Sequence, residues 1–231
     1  FSDIRSFTTI SESMTPIELV SMLNDYLTLM TKIIMKNKGL VDKFIGDAIM
    51  AFWGAPLNNN ETEICACETA LEMSDELNDF NKKREDKGLK TINIGIGINS
   101  GEAIVGNLGS NERFDYTAIG DSVNTASRYE GLTKYYGVRI IVGEKTYEKV
   151  KDKFVFRELD RVVVKGKKEI TIIYELLAKK DNQKHFLKLA KDYEEALIEY
   201  RNRNFDLAKD LFTKIYEKNN DYPSFEMIKR C

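Results

Sequence analysis

Residues 40–53 read Leu-Val-Asp-Lys-Phe-Ile-Gly-Asp-Ala-Ile-Met-Ala-Phe-Trp, and this stretch decides the fold class. Two apolar runs flank the dipeptide Gly46-Asp47, a pattern that predicts a β-hairpin with a tight turn. An amphipathic helix is predicted before the hairpin, over residues 17–36, and a second helix after it, over residues 62–86. Hairpins that alternate with helices favour an α+β fold with a mostly antiparallel sheet.

The same alternation continues further along the chain. Ile92–Asn99 alternates as a strand does, and Ser100-Gly101 is predicted to turn it back into Glu102–Gly106 as a second hairpin. The remaining predicted elements are helices over residues 121–136 and 144–151, and strands over residues 138–142, 154–158, 161–165 and 169–177.

Residues 179–231 show helical periodicity and no strand signals. Their apolar residues fall into two stripes: Tyr193, Ala196, Leu197 and Tyr200, then Phe205, Ala208, Phe212 and Ile215. The pair resembles a shortened tetratricopeptide-type helix pair, and a plain helical hairpin docked on the preceding domain is the alternative. The chain is therefore predicted to comprise a domain over residues 1–178 and a helical tail over residues 179–231.

Composition excludes several classes of protein. The 231 residues carry 35 Lys and Arg against 37 Asp and Glu, and this net charge of −2 argues against a nucleic-acid binder. No run approaches the roughly 18 apolar residues of a membrane span, so no membrane contact is expected from these residues. Phe1 has the character of the end of a strand, and the chain is accordingly expected to be a fragment of a longer protein whose membrane state is open.

The cysteine and histidine counts limit the chemistry. With 3 Cys and 1 His, a disulfide framework, a zinc site and His-based nucleophilic catalysis are all disfavoured. A reducing, cytoplasmic compartment is expected. A metal ion would have to be held by carboxylates, which suits Mg²⁺, Mn²⁺ or Ca²⁺.

Three polar residues stand out in apolar strands. Asp3 and Asp47 each follow an apolar run; if their strands are neighbours, the two acids meet at one edge and could hold a pair of divalent cations. The alternative for Asp47 is an ordinary turn residue. Lys43 lies inside an apolar strand, where it is either a donor at the floor of a polar pocket or an edge-strand lysine that prevents aggregation.

Further polar groups fit a phosphate or a nucleotide. Backbone N–H groups in Ile4–Thr8, before a helix, can cradle phosphate. Asn124 and Arg128 are four residues apart, so a helix places them on one face. Lys165 begins a basic turn that is otherwise read as a solvated hairpin.

Four segments in order, residues 1–8, 42–56, 95–101 and 118–128, together resemble the class III nucleotidyl cyclase catalytic domain. The resemblance covers residues 1–178. It implies a ferredoxin-like cyclase fold and a head-to-tail homodimer whose active sites are composed of residues from both protomers.

The resemblance also implies a role for each candidate residue. Asp3, Asp47 and the Ile4 carbonyl correspond to ligands of two Mg²⁺ or Mn²⁺ ions per active site. Lys43 and Thr117 correspond to the residues that select the base. Asn124 corresponds to the residue that positions the ribose, and Arg128 to the arginine that stabilises the transition state. Other substrate-binding positions correspond to Lys165, Arg113, Phe7 and Thr8.

The chemistry of the base-selecting pair favours adenine. Adenine offers an acceptor at N1 and a donor at N6, and Lys43 carries donors only. Thr117 accepts from N6 but its hydroxyl also donates, so a guanylate or relaxed purine cyclase stays open as an alternative. The favoured hypothesis is an adenylate cyclase acting on ATP. A catalytically silent cyclase-fold dimerisation module is the other alternative.

Overall fold

The computed structural model describes residues 1–56, 60–164, 169–181 and 184–231. The strands are β1 (Ser2–Ile4), β2 (Leu40–Ile45), β3 (Ala48–Phe52), β4 (Ile94–Ile98), β5 (Ile104–Gly109), β6 (Phe114–Ile119), β7 (Ile140–Gly143), β8 (Phe154–Val162) and β9 (Thr171–Lys179). The helices are α1 (Phe7–Glu12), α2 (Pro16–Lys36), α3 (Thr62–Glu85), α4 (Asp121–Tyr136), α5 (Glu144–Val150), α6 (Lys184–Arg201), α7 (Phe205–Asn219) and α8 (Tyr222–Arg230).

Seven strands form one sheet in the order β2–β3–β1–β4–β7–β9–β8. Only the β4–β7 pairing is parallel among the described strands of this sheet; the others are antiparallel. Strands β5 and β6 pair with each other in a separate ribbon. The predicted α+β fold with a mostly antiparallel sheet is confirmed.

The hairpin of β2 and β3 forms as predicted. Gly46 adopts a φ of 66°, which glycine reaches without the steric cost of a Cβ, and Asp47 completes the turn. The register shifts between Val41 and Lys43, so Asp42 is the extra residue of a β-bulge. Bulges of this kind redirect side chains near functional sites.

Both faces of the sheet are covered by helices. Ile140 and Val142 of β7 pack in the core under α2 and α3, whereas Ile141 between them packs with residues of α4. This period of two is the alternation expected of a strand that is buried on both faces.

Helix α4 lies unusually close to β4. A Cβ at Gly97 would stand 2.2 Å from the Ala126 carbonyl oxygen and 2.2 Å from the Glu130 amide nitrogen. Backbone atoms cannot yield to such an overlap, so a residue without a side chain is required at this position. The glycine therefore sets the position of the helix that carries Asn124 and Arg128.

The predicted second hairpin is wrong. Ser100-Gly101 does not return the chain to β4, because β4 is hydrogen-bonded to β1 on one side and β7 on the other. The segment is instead tied to the start of α4: Asn99 Nδ2 donates to the Ser122 carbonyl at 3.0 Å, and Ser122 Oγ donates to the Glu102 carbonyl at 2.7 Å. β5 then pairs with β6, which the sequence pattern did not predict.

The strands predicted over residues 154–158 and 161–165 are in fact one strand, β8, through Val162. Register shifts at Val155/Phe156 and Glu158/Asp160 interrupt its alternation, which explains the apparent break. The predicted basic turn that begins with Lys165 lies outside the described residues.

The tail forms the two predicted helices, α6 and α7, and a third, α8, which was not predicted. The apolar stripes of α6 and α7 pack on each other around Tyr193 and Phe212. It also contacts β8: the Tyr193 hydroxyl donates to the Leu159 carbonyl at 3.3 Å, and Arg157 Nη1 donates to both carboxylate oxygens of Asp221 at 2.8 Å. The tail is thus docked on the sheet, and its likeness to a tetratricopeptide-type pair stays a prediction, because both alternatives require the helices to pack on a neighbour.

No helix in the described part of the chain combines the length and the apolar composition needed to cross a bilayer.

Candidate active site

Asp3 and Asp47 come together at the ends of neighbouring strands of the sheet. Their strands, β1 and β3, are antiparallel neighbours with Ser2 opposite Ile49. The Ile4 amide donates to Asp47 Oδ2 at 3.1 Å, and the Asp3 carboxyl lies close enough to raise the pKa of Asp47. The condition stated for a shared cation site, that the two strands be neighbours, is therefore met.

The electrostatics of this pair favour a cation. Burial, followed by the hydrogen bond and the charge of Asp3, raises the pKa of Asp47 from 3.8 to about 7. Two carboxylates held this close cannot both ionise easily unless positive charge lies between them. A cation between the two side chains would relieve this repulsion.

The donor set fits Mg²⁺ or Mn²⁺. Within the described residues, no group of three or more His, Cys, Asp or Glu side chains is arranged to hold a metal ion, so an all-protein cage is not present there. Two carboxylates and a backbone carbonyl leave positions for water and phosphate oxygens. Mg²⁺ is commonly bound in this way, with one or two carboxylates and the phosphates of the substrate.

Lys43 and Thr117 meet through a residue that sequence reasoning missed, Asp42. The Thr117 hydroxyl donates to Asp42 Oδ2 at 2.5 Å, and the Lys43 ammonium lies 3.3 Å from Asp42 Oδ1. Strand β2 is the edge of the sheet, as the alternative reading of Lys43 expected. Its ammonium is nevertheless directed to this polar cluster, which also suits the functional reading.

Asn124 and Arg128 lie one turn apart on α4, Asn124 exposed and Arg128 half-buried. Arg128 Nη1 is buried and has no hydrogen-bond partner among the described residues. A buried guanidinium nitrogen without a partner is costly, and an anionic ligand would satisfy it. No hydrogen bond or ion pair in the described part of the chain joins Asn124 or Arg128 to the two aspartates.

The other candidates are dispersed. Phe7 and Thr8 begin α1, directly after β1, and the first N–H groups of a helix have no partner within the helix. Arg113 is exposed in the β5–β6 turn, where its amide donates to Ser110 Oγ at 3.1 Å. Lys165 lies outside the described residues.

The chain matches one protein family over most of its length. The family model described as the adenylate and guanylate cyclase catalytic domain matches residues 1–178. An adenylate cyclase of Anabaena cylindrica is 44% identical over 185 residues, which is 77% of this chain and 36% of that protein. The chain therefore spans about a third of the length of that relative.

Solved structures of both specificities resemble the chain. The adenylyl cyclase CyaB from P. aeruginosa superposes with a TM-score of 0.73 at 33% identity, over 78% of this chain and 93% of that one. The guanylyl cyclase Cya2 gives a TM-score of 0.71 at 33% identity, over 79% and 92% of the two chains. Overall fold similarity does not separate ATP from GTP, so the choice depends on individual residues.

Proposed function

Since the chain belongs to the family of adenylate and guanylate cyclase catalytic domains, we propose that it converts ATP to 3′,5′-cyclic AMP and pyrophosphate. The observation that carries the choice of ATP is the cluster of Lys43, Asp42 and Thr117. It brings a cationic donor and a hydroxyl acceptor to one place, which matches the N1 acceptor and N6 donor of adenine.

The aspartate pair supports the catalytic part of the proposal. Asp3 and Asp47, with the Ile4 carbonyl, would hold two Mg²⁺ or Mn²⁺ ions. When bound, such ions lower the pKa of the ribose 3′-hydroxyl and neutralise the charge of the leaving pyrophosphate. The carboxylates would contribute by holding these ions, and with them the polyphosphate, at the ends of neighbouring strands.

Helix α4 would act on the ribose and the α-phosphate. Asn124 positions the ribose so that its 3′-oxygen approaches the α-phosphorus, which is largely an orientational contribution. Arg128, whose Nη1 has no partner among the described residues, stabilises negative charge on the α-phosphoryl group. Lys165, Arg113, Phe7 and Thr8 are proposed to hold other parts of the triphosphate.

A homodimer accounts for the separation of these groups. Within one protomer, no described hydrogen bond or ion pair joins Asn124 or Arg128 to the aspartates, so we propose that these two residues serve the aspartates of a second copy. Lys43 and Thr117 would then hold the base of the nucleotide whose phosphates lie against the other protomer's aspartates.

A guanylate cyclase is the second candidate, and the similarity to Cya2 favours keeping it. A threonine hydroxyl at the base can donate to guanine O6 as well as accept from adenine N6. The two candidates therefore differ in whether the Thr117 hydroxyl accepts a hydrogen bond from the base, as adenine requires, or donates one to it, as guanine requires.

The test is turnover of ATP and GTP by the purified chain with Mg²⁺ and with Mn²⁺, with cyclic nucleotide and pyrophosphate identified as separate products. We expect cyclic AMP to predominate. Asp47→Asn should abolish turnover, whereas Asp79→Asn, on the exposed side of α3, should not. Predominant cyclic GMP would reject the choice of ATP, and no cyclic product under either metal would reject the cyclase proposal.

A further inference from the structure

Asp42 makes a set of contacts that its position in a strand would not ordinarily allow. Its side chain is 0% exposed, and a buried carboxylate is costly unless it is paired. Oδ2 accepts from the Thr117 hydroxyl at 2.5 Å and from the Ala118 amide at 3.1 Å. Oδ1 lies 3.3 Å from the Lys43 ammonium, although no described group donates a well-directed hydrogen bond to it.

The β-bulge makes this cluster possible. In a regular strand, the adjacent side chains of Asp42 and Lys43 would point to opposite faces of the sheet. Because Asp42 is the unpaired residue between Val41 and Lys43, the two side chains approach closely enough to form an ion pair. The bulge also brings the Asp42 carboxylate to Thr117 of β6, which belongs to the other sheet.

The hydrogen-bond chemistry then has only one solution. Asp42 Oδ2 already accepts from the Ala118 amide, so it acts as an acceptor in this cluster, and the single proton of the Thr117 hydroxyl points to it. The Thr117 oxygen has only lone pairs left for a ligand. An adenine N6 amino group can donate to those lone pairs, whereas guanine O6 would face another acceptor.

We propose that Asp42 is a positioning residue that fixes Thr117 as a hydrogen-bond acceptor and thereby sets the preference for ATP over GTP. The inference rests on the proposed function, because it concerns the base of the same nucleotide. Asp42 does not touch the base; it acts through Thr117. A threonine hydroxyl can otherwise donate or accept at this position, and the hydrogen bond to Asp42 leaves it only as an acceptor toward the base.

Three substitutions at Asp42 separate this role from a structural one. Asp42→Leu has a similar size and no acceptor, so the Thr117 hydroxyl is free to rotate and donate to guanine O6. Asp42→Ala is a second variant without an acceptor, for the case in which leucine disrupts the bulge. Asp42→Asn is the matched control, because the Ala118 amide still requires an acceptor and holds the asparagine oxygen toward Thr117.

The readout is the ratio of kcat/KM for ATP to kcat/KM for GTP. We expect that ratio to fall about tenfold in Asp42→Leu and Asp42→Ala, equivalent to one hydrogen bond of about 1.4 kcal/mol, and to stay within about threefold in Asp42→Asn. Loss of stability alone would lower both rates and leave the ratio unchanged. An unchanged ratio in Asp42→Leu and Asp42→Ala overturns the proposal.

A second comparison tests whether Asp42 acts through Thr117. In a Thr117→Val background there is no hydroxyl to orient, so adding Asp42→Leu should change the ATP-to-GTP ratio no further. Losses that multiply in the double variant would show an independent effect of Asp42 and would also overturn the proposal.

Binding measurements keep the inference distinguishable from the proposed function. The same variants are titrated with 3′-deoxy-ATP and 3′-deoxy-GTP, which lack the attacking hydroxyl, in the presence of Mn²⁺. If the wild-type chain turns over neither nucleotide but its preference for 3′-deoxy-ATP falls in Asp42→Leu, the cyclase proposal fails and the role of Asp42 stands. A wild-type chain that binds both analogues equally overturns the role of Asp42.

Discussion

The Ile4 amide donates a hydrogen bond of 3.1 Å to the carboxylate of Asp47, 43 residues further along the chain. This contact fixes the turn of the β2–β3 hairpin against the end of β1 and brings Asp3 and Asp47 together. The two acids are therefore close before any ligand binds, and the folded chain bears the cost of their mutual repulsion.

The burial of Asp47, together with its closeness to Asp3, predicts a pH-dependent stability. The pKa of Asp47 is raised from 3.8 to about 7 in the folded state, so between these values the folded chain binds more protons than the unfolded chain. Stability should therefore fall as the pH rises from about 4 to about 7. With a chelator present, Asp47→Asn should melt higher than wild type at pH 8, by about 2–4 °C for each kcal/mol recovered, and at the same temperature as wild type at pH 4.

The metal supplies the control for this prediction. Mg²⁺ at pH 8 should raise the melting temperature of the wild type and should not raise that of Asp47→Asn, because binding to the folded state alone stabilises it. A wild type that is less stable at pH 5 than at pH 8 in chelator would contradict the predicted direction.

Mixed dimers test the composite active site. Asp47→Ala and Arg128→Ala should each be inactive alone, because in the proposed homodimer each removes an essential group from both sites. After equal mixing, about half the dimers should be mixed and each should keep one intact site, which gives about a quarter of wild-type turnover. Variants that exchange subunits, as shown by native mass spectrometry, and still recover no activity would exclude sites shared between protomers.

Charge reversal at Lys43 should change the base preference. Lys43→Glu removes a cationic donor to adenine N1 and places a second carboxylate beside Asp42, so kcat/KM for ATP should fall about 100-fold. Turnover of GTP should fall less, since guanine N1 is a donor. Lys82→Glu, on an exposed helix surface, is the charge-matched control and should behave as wild type; undiminished ATP selectivity in Lys43→Glu would remove Lys43 from base recognition.

The docking of the tail is expected to depend on Arg157, whose side chain is 2% exposed between Glu175 and Asp221. Arg157→Leu leaves two buried carboxylates without their cation, and loss of one member of a buried pair costs about 3–5 kcal/mol. Urea denaturation should show this decrease in the free energy of unfolding.

The exposed pair Lys82–Asp79 is the matched control for that measurement. Its side chains are 72% and 59% exposed, so Lys82→Ala should change the free energy of unfolding by less than about 1 kcal/mol. Equal effects of the two substitutions would mean that the buried network contributes no more than a surface pair.

Much of the fold follows from local patterns in the sequence. Helix α2 begins at Pro16, within one residue of the prediction, because its apolar stripe is long. Its start is further fixed by a capping box in which Thr15 and Glu18 exchange hydrogen bonds. Strands β2 and β3 are equally local, since a Gly-Asp turn joins them directly.

The errors arose where pairing partners are distant in sequence. The apolar residues after Ser100-Gly101 predicted a strand that returns along β4. In the structure that segment is in the separate β5–β6 ribbon, where Ile104 and Ile119 are 70% and 56% exposed. β1 and β7 pair with the two sides of β4 and leave it no free edge for a hairpin partner. No local pattern in the sequence specifies these two pairings.

Asp42 shows the corresponding limit for the candidate site. An acid directly before Lys43 in an apolar strand is a visible signal, but regular alternation would place the two side chains on opposite faces. Only the bulge, a property of the pairing between β2 and β3, brings it to Thr117.

The Arg157–Asp221 contact has a practical consequence for C-terminal truncation of this chain. A version ending at residue 178, where the family match ends, would keep Arg157 and Glu175 but lose Asp221, and would uncover the surface of β8 on which the tail rests. The family match therefore ends within a set of packed elements, because the tail is joined to β8 by these contacts. Biochemical work on the catalytic part should retain the last 53 residues.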